Sequence, residues 1–217
     1  MTVLALEHAN FTCLLTIIIY YLPFIPKLMK QSWECLESKK IFKAGDGKTV
    51  YFELYQDRVR TPKGNVLTYT KYHASDVVIV VPFLDRQKLL MIRQFRYPVG
   101  KVMPEFPAGH VENGEDPLDT AKRELEEETG QRARKVEYIY SYHPSVGRTK
   151  QSVHVFRATG LAKKTATRHD SGEQISMKTV TVNQLRHLIV KRKVESAGTL
   201  IAYLLCCAMK INPRKRR

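Results

Sequence analysis

The 217 residues give room for one ordinary domain with short extensions, and a hydrophobic content of 43% is enough for a core. The four cysteines form no Cys-x-x-Cys pair and have no accompanying histidine spacing, which argues against a zinc site and a disulfide framework and favours a reducing compartment. The formal net charge of +15 favours a polyanionic ligand or surface, but it does not choose among a nucleotide, a nucleic acid and an anionic lipid.

An apolar N-terminal extension is predicted at residues 1–28, where almost every side chain is uncharged. Pro23 and Pro26 interrupt this extension, so its longest apolar run is too short to span a bilayer comfortably. Three interpretations stay open: a secretory signal without the usual preceding basic residues, a membrane anchor formed by residues 11–26, and a translation start at Met29. We expect a cytoplasmic protein, with anchoring to the cytoplasmic face of a membrane as the alternative.

Strands dominate the next part of the chain, and we expect an N-terminal β region at 29–74 before the main domain at 75–210. The strands are predicted to begin after Lys39, and turn signals such as "GDGK" and "TPKGN" separate them. They are rich in β-branched and aromatic residues: "KTVYFELYQDRV", "NVLTYTKYH", "DVVIVVPFL" and "KLLMIRQFR". "DVVIVVPFL" is apolar on both faces, which predicts a strand in the middle of a sheet.

A helix with recognisable ends follows, because Asp116 is a favourable N-cap, Pro117 suits the first helical position and Gly130 suits the residue after the last turn. Three further strands are predicted at "KVEYIYSYH", "SVHVFRAT" and "ISMKTVTV". The domain closes with two predicted helices, at about 183–191 and 196–210, and a solvated basic tail is expected at 211–217.

The first of these helices lies in an acidic stretch of a basic chain, since nine acidic residues face two basic ones between Glu105 and Gly130. Its apolar side chains fall on one face, whereas Glu124, Glu127 and Glu128 share another. Carboxylates so close together repel one another, and a hard divalent cation such as Mg²⁺ would remove the repulsion while bridging to phosphate. The cluster therefore predicts half of a phosphate site, with a solvated acidic helix face as the alternative.

A long gapped motif surrounds this cluster, running from Gly109 through Glu115 to "RELEEETG" at 123–130. On these residues the chain resembles the Nudix hydrolases, and only Gln131 departs from the family motif, where an aliphatic residue is usual. The resemblance implies an α/β protein with an α/β/α sandwich around a mixed central sheet, preceded here by an N-terminal antiparallel β extension. It also implies hydrolysis of a diphosphate linked to another moiety, with Mg²⁺ as cofactor and Mn²⁺ as an alternative.

The resemblance assigns roles to single residues of the motif. Glu127 is expected to support catalysis or to bind a second ion, and Arg123 is expected to orient the carboxylates by pairing with Glu127 one turn away. Gly130 has a structural role at the end of the helix. The expected metal ligands all offer an oxygen atom: the carbonyl of Ala108, Glu115 directly or through water, Glu124, Glu127 and Glu128.

Three longer segments, "LLMIRQFRYPVGKVMPEFPAGHVENGE", "SYHPSVG" and "KVESAGTLIAYLL", resemble the ADP-ribose pyrophosphatase branch of the family. This implies a nucleotide-sugar substrate, a nucleoside monophosphate and a sugar phosphate as products, and a homodimer built by the N-terminal strands. The expected substrate-side residues are Arg96, Glu105, Gly109 and Gly147. A sheet-edge arginine in solvent and a structural salt bridge are the alternatives for Arg96 and Glu105.

One segment departs from this branch, because "RTKQ" places Arg148, Lys150 and Gln151 where a serine or threonine and an acid are common. The departure weakens the match for plain ADP-ribose. It leaves open another nucleoside diphosphate sugar, NAD(H), a dinucleoside polyphosphate, a capped RNA end or a non-catalytic Nudix-fold module. Nucleic acid is not the expected partner, since no base-stacking motif is present.

The resemblance also implies a general base, a carboxylate on a loop before the last strand. In this chain that loop is "TATRHDSGEQISM", which offers Asp170 and Glu173. Glu173 is preferred because its longer side chain can extend from the start of the strand, and the alternative is that both are solvated loop acids.

Overall fold

The computed structural model describes residues 32–163, 175–209 and 211, which form two β-sheets and helices on both faces of the larger sheet. In chain order the elements are β1 (Glu34–Gly45), β2 (Val50–Arg60), β3 (Val66–His73), β4 (Val77–Phe83), β5 (Lys88–Arg96), β6 (Lys101–Glu105), β7 (Ala108–His110), α1 (Pro117–Thr129), β8 (Gln131–Tyr142), β9 (Val153–Lys163), β10 (Ile175–Thr181), α2 (Val182–Val190), α3 (Ala197–Tyr203) and a π-helical turn (Leu204–Ala208).

The N-terminal β extension is a three-stranded antiparallel sheet in the order β1-β2-β3. The prediction that the strands begin after Lys39 is wrong, because β1 starts at Glu34. The sequence of β1, "ECLESKKIFKAG", shows no apolar alternation, and the side chains of β1 are exposed along almost the whole strand. Hydrogen bonding to β2, rather than burial, therefore holds β1 in the sheet.

The other described strands form a seven-stranded mixed sheet with the main order β10-β5-β4-β9-β8. β4 pairs parallel with β9 and antiparallel with β5 and β7, and β6 pairs antiparallel with β5. β4 is the "DVVIVVPFL" segment, and its predicted central position is confirmed. The sequence did not predict β6 and β7, because Pro104 and Pro107 interrupt an already short stretch.

Helices cover both faces of this sheet, and alternate residues of β4 enter two separate cores. Val78 and Val80 pack against the apolar face of α1. Ile79 and Val81 pack on the opposite face with Leu185 of α2 and with side chains of α3. The predicted α/β/α sandwich around a mixed sheet is therefore confirmed.

The acidic helix α1 begins and ends where the sequence predicts. The carboxylate of Asp116 accepts a hydrogen bond from the N–H of Leu118 at 2.7 Å, and Pro117 occupies the first turn. Gly130 ends the helix with φ of 64°, a left-handed conformation that favours glycine. These caps fix the position of the glutamates of α1 relative to the sheet.

The two C-terminal helices are also present, but the second is shorter than predicted. α2 begins at a capping box in which the side chains of Thr181 and Gln184 each accept the other residue's backbone N–H. The helix expected at 196–210 ends as α-helix at Tyr203. The chain continues as a π-helical turn, closed by the N–H of Met209 donating to the carbonyl of Leu204.

Some of the predicted features lie outside the described residues: the apolar extension at 1–28, the loop acids Asp170 and Glu173, and residues 212–217 of the basic tail. Within the described part of the chain, no helix is long and apolar enough to cross a membrane.

Candidate active site

The predicted metal residues meet where strand β7 contacts helix α1. A Cβ atom built on Gly109 would overlap the carboxylate of Glu124, so this side chain lies directly against the backbone of β7. The close approach explains why a glycine stands at position 109. The side chain of Glu124 is 13% exposed, so its carboxylate is held at the inner end of the site rather than in solvent.

Glu128, one helical turn after Glu124 in α1, also contacts the backbone of β7. It is 5% exposed, and its Oε2 accepts a hydrogen bond from the N–H of Ala108 at 3.0 Å. The side chain of Glu127, by contrast, is 41% exposed. A solvated acidic helix face is therefore wrong as a description of Glu124 and Glu128, which face the sheet.

Arg123 connects the acids of the site. Its Nη1 donates to Glu124 at 2.7 Å and to Glu127 at 3.0 Å, and its Nη2 also donates to the carbonyl of His110 at 3.1 Å. Nε and Nη2 each donate to Glu115 at 3.0 Å. The hydrogen bonds with Glu115 raise the pKa of Arg123 further above its ordinary value, and the nearby charge of Glu124 adds to this. The predicted pairing of Arg123 with Glu127 is confirmed.

Glu115 braces the loop before α1, as one of its two predicted roles requires. Burial opposes ionisation of its carboxyl, but hydrogen bonds from Arg123, Thr120 and the N–H of Glu112 together hold the pKa below its ordinary value. The bond from Glu112 is 3.2 Å long, and the N–H of Glu115 in turn donates to the carbonyl of Glu112 at 3.0 Å. Contact of Glu115 with a metal through water stays a prediction.

Arg96 and Glu105, both predicted on the substrate side, are paired with each other. Nε and Nη2 of Arg96 donate to the same carboxylate oxygen, at 2.9 and 2.7 Å. The side chain of Arg96 is 39% exposed whereas that of Glu105 is 12% exposed. The salt-bridge alternative for Glu105 is thus realised, and Arg96 keeps an exposed edge that a substrate could contact.

A cleft of about 310 Å³ joins these groups. Thr49 and His110 in its wall were not identified as site residues from the sequence. Burial lowers the pKa of His110, which favours a neutral ring at pH 7. The sequence predicted a turn at "GDGK" and a strand at "KTVYFELYQDRV". It did not predict the approach of Thr49 to the cleft, because this depends on contacts far apart in the chain. The described lining residues are Thr49, Val77, Arg96, Ala108, Gly109, His110, Glu112, Arg123, Glu124 and Glu128.

Gly147 is not among the described residues that line this cleft. Its carbonyl accepts a hydrogen bond from the hydroxyl of Tyr69 in the N-terminal sheet. Beside it, Arg148 donates to the carbonyl of Thr70 at 2.9 Å, and Gln151 donates to the carbonyl of Ser75 at 2.6 Å. The "RTKQ" segment therefore docks onto the N-terminal sheet through Arg148 and onto the loop before β4 through Gln151.

A larger cavity, of about 730 Å³, lies at the other end of β4. Phe83 lines it together with Cys206 and Cys207, and none of the acids of α1 does. Burial raises the pKa of both cysteine thiols to about 12, so they are neutral at pH 7 and poor metal ligands or nucleophiles. The size of this cavity does not make it the reaction site.

The residues of the cleft fit a hard divalent cation. Their donors are carboxylate and carbonyl oxygens, and the glycine at 109 gives the carboxylate of Glu124 room against the backbone of β7. Among the described residues, however, no three His, Cys, Asp or Glu side chains already form a metal cage. Arg123 contacts the carboxylates of both Glu124 and Glu127, which places these two acids side by side.

The NUDIX domain model matches residues 73–203 of this chain. An ADP-ribose pyrophosphatase of Bacillus subtilis strain 168 is 35% identical over 168 residues, which cover 77% of this chain and 91% of that protein. The methanol dehydrogenase activator of Bacillus methanolicus is 32% identical over 168 residues, covering 77% of this chain and 88% of the activator.

An ADP-sugar pyrophosphatase of Mus musculus is 37% identical over 123 residues, covering 52% of this chain and 56% of the mouse protein. Among solved structures, the crystal structure of an ADP compounds hydrolase superposes with a TM-score of 0.72. The match covers 84% of this chain and 95% of that one, at 18% identity, so it supports the fold and not the substrate.

Proposed function

The chain belongs to the NUDIX family of hydrolases, and we propose that it hydrolyses the diphosphate of ADP-ribose or of a related nucleoside diphosphate sugar. One observation carries the proposal: β7 and α1 bring the carboxylates of Glu124 and Glu128 to the backbone of Ala108 and Gly109, in a cleft that also holds Arg96. The names of the Bacillus subtilis and mouse relatives, an ADP-ribose pyrophosphatase and an ADP-sugar pyrophosphatase, support this substrate class, whereas the Bacillus methanolicus relative is named for enzyme activation.

NUDIX hydrolases in general need a divalent metal, and we propose Mg²⁺ here, with Mn²⁺ as the alternative. Glu124, Glu128, Glu127 and the carbonyl of Ala108 would hold it, and Glu115 would reach it through water. When bound, the ion would offset the charge of the diphosphate and polarise it for attack by water.

Other side chains would position the carboxylates and contact the substrate. Arg123 holds the carboxylates of Glu124 and Glu127 in position, and the exposed edge of Arg96 can donate to a phosphate or ribose oxygen. Glu105 fixes the guanidinium of Arg96. Water would add to one phosphorus atom, the bond from that atom to the bridging oxygen would break, and AMP and ribose 5-phosphate would leave.

The general base is proposed to be Glu173, with Asp170 as the alternative. The described strand β10 begins at Ile175, which pairs with Gln94, two residues before Arg96 on β5. The strand therefore starts at the end of β5 that borders the cleft. Replacing Glu173 by Gln should lower kcat by ~10²-fold or more with little change in KM, because a positioned base contributes on this scale. Loss only in Asp170→Asn would move the assignment, and normal rates in both would leave no role for a loop base.

A homodimer is proposed through the N-terminal sheet, which exposes large apolar side chains in the single chain. Trp33 is 49% exposed, Ile41 46%, Phe42 55% and Val66 48%. Light scattering behind gel filtration should give twice the mass of 25.0 kDa, and a monomer would contradict the proposal. A cytoplasmic location, or a membrane contact through residues 11–26, rests on the sequence alone.

The substrate is tested by chromatography of products from ADP-ribose, ADP-glucose, GDP-mannose, NADH, diadenosine polyphosphate and capped RNA, with Mg²⁺ and with chelator. We expect metal-dependent cleavage of ADP-ribose or another nucleoside diphosphate sugar. Cleavage of a dinucleotide or capped RNA, with the sugars untouched, would overturn the substrate class. Binding of a panel compound without any cleavage would indicate a NUDIX-fold binding module.

A further inference from the structure

The N-terminal sheet supplies part of the cleft wall through the turn between β1 and β2. Thr49 ends this turn, is 7% exposed, and lines the cleft with Arg96, Glu124 and Glu128. It carries the one hydroxyl among the described lining residues. A hydroxyl can donate to a substrate oxygen without adding charge. Because Thr49 is β-branched, its rotation about χ1 is restricted, and ordering its side chain on binding costs little entropy.

The turn has a defined shape of its own. One oxygen of the Asp46 carboxylate accepts the N–H of Lys48 at 3.0 Å and of Thr49 at 2.7 Å. The other oxygen accepts the hydroxyl of Tyr51 at 2.7 Å. Gly47 has φ of +92°, which favours glycine at the tip of the turn. Because the backbone N–H of Thr49 is bonded within the turn, its side chain is the group it can offer to a substrate.

The turn is fastened to the loop that leads into α1. The N–H of Asn113 donates to the carbonyl of Lys48 at 2.9 Å, and its Nδ2 donates to the carbonyl of Gly47 at 3.3 Å. Lys48 also lies 4.0 Å from the carboxylate of Glu112. Behind Thr49, Val50 and Ser75 bond each other, with the N–H of Ser75 donating to the carbonyl of Val50 at 2.8 Å. Thr49 is thus anchored to the main domain on both sides.

We infer that Thr49 contacts the substrate by donating its hydroxyl to an oxygen of the diphosphate, an inference that rests on the proposed function. The carboxylates that would hold a cation bound to the diphosphate, Glu124 and Glu128, line the same cleft as Thr49, so the diphosphate would lie in the cleft that Thr49 lines. The cleft is therefore built from the large sheet, α1 and the turn between β1 and β2, and the family match from residue 73 onward does not include that turn.

The test compares Thr49→Val, which removes the hydroxyl at nearly constant shape, with Thr49→Ser, which keeps it. Thr49→Ala is a second variant without the hydroxyl, in case the valine does not fold. Thr68→Val is the matched control, since Thr68 is an exposed residue of β3 in the same sheet. Calorimetry measures the Kd of the α,β-methylene analogue of ADP-ribose with Mg²⁺, and kinetics with ADP-ribose give KM and kcat.

Thr49→Val should raise Kd and KM by ~10-fold with kcat little changed, because a hydrogen bond to a charged group contributes on this scale and is present in the ground state. Thr49→Ser and Thr68→Val should stay close to wild type. Unchanged Kd and KM in Thr49→Val, or an equal rise in the serine variant, would overturn the inference. A wild type that binds the analogue but does not cleave ADP-ribose would fail the proposed function alone, while the ratio of Kd values still tests Thr49.

Discussion

The N-terminal sheet and helix α1 both hold carboxylates against basic side chains, but the two regions combine these groups in different proportions. In the sheet, Lys40 lies 2.7 Å and Lys43 3.6 Å from Glu53, and Lys71 pairs with Asp57. Three lysines thus contact two carboxylates. At α1 a single guanidinium, that of Arg123, contacts three carboxylates.

The difference separates a structural use of charge from a chemical one. Hydrogen bonds from Lys40 and Tyr55 lower the pKa of Glu53 from 4.5 to about 2, so the protein itself stabilises this anion. Around Arg123, by contrast, one guanidinium is shared by Glu115, Glu124 and Glu127, and a divalent cation would offset the negative charge of this group. A buried carboxylate therefore indicates a metal site only where the basic side chains around it are too few to offset its charge.

The largest expected effect comes from the acids of α1. Glu124→Gln and Glu128→Gln should each lower kcat by ~10³-fold while the melting curve stays cooperative, because each variant loses a proposed metal ligand. Glu127→Gln should also lower kcat by orders of magnitude, on the prediction that it supports catalysis or a second ion. Glu53→Gln is the matched control in the sheet and should keep kcat within ~3-fold of wild type. Equal rates in the Glu128 and Glu53 variants would erase the distinction between the two regions.

Two glycines give the next largest contrast. A Cβ at Gly109 would overlap the carboxylate of Glu124, whereas a Cβ at Gly147 would meet no atom within 4 Å. Gly109→Ala should therefore lower kcat by ~10- to 100-fold, since misplacement of a catalytic group by about 1 Å has effects of this size. Gly147→Ala should be close to wild type in steady-state assays. Loss of activity at Gly147 with none at Gly109 would contradict the geometry.

A smaller effect is expected from replacing arginine by lysine, or lysine by arginine, beside the carboxylates. Arg123→Lys replaces a planar fork that contacts three carboxylates, so kcat should fall by ~10-fold with little change in KM. Lys40→Arg in the sheet exchanges one cation for another beside a single acid and should leave both constants unchanged. If lysine at 123 sustains full activity, the fork geometry is not required and only the charge matters.

The smallest effect concerns the pH dependence of stability. The pKa of Glu53 is depressed to about 2, so its contribution is present above pH 4.5 and is lost as the pH falls through about 2. Glu53→Gln should lower Tm at pH 7 by no more than ~3 °C, and the gap from wild type should narrow between pH 4.5 and 2. Circular dichroism melts measure both chains. A difference in Tm that does not depend on pH would mean that the packing of Glu53, and not its charge, stabilises the protein.

The sequence predicted the parts of the fold that local rules govern. The caps of α1, the buried strand β4 and the spacing of the glutamates follow from neighbouring residues, and the structure agrees with them. β1 was missed because its exposed side chains carry no periodic signal. The place of Thr49 in the cleft depends on contacts of its neighbours Gly47 and Lys48 with Asn113, far along the chain, which no local pattern contains. A structural salt bridge was predicted as the alternative for Glu105, but Arg96 was not predicted as its partner.

The most direct test of the account is a titration with Mn²⁺, used as a spectroscopic substitute for Mg²⁺, with the free ion followed by electron paramagnetic resonance. Three proteins are compared: wild type, Glu124→Gln with Glu128→Gln, and Glu53→Gln with Asp57→Asn. We expect the α1 variant to bind Mn²⁺ at least ~10-fold more weakly than wild type, and the sheet variant to bind it as wild type does. Equal binding by all three proteins, or loss only in the sheet variant, would contradict the account.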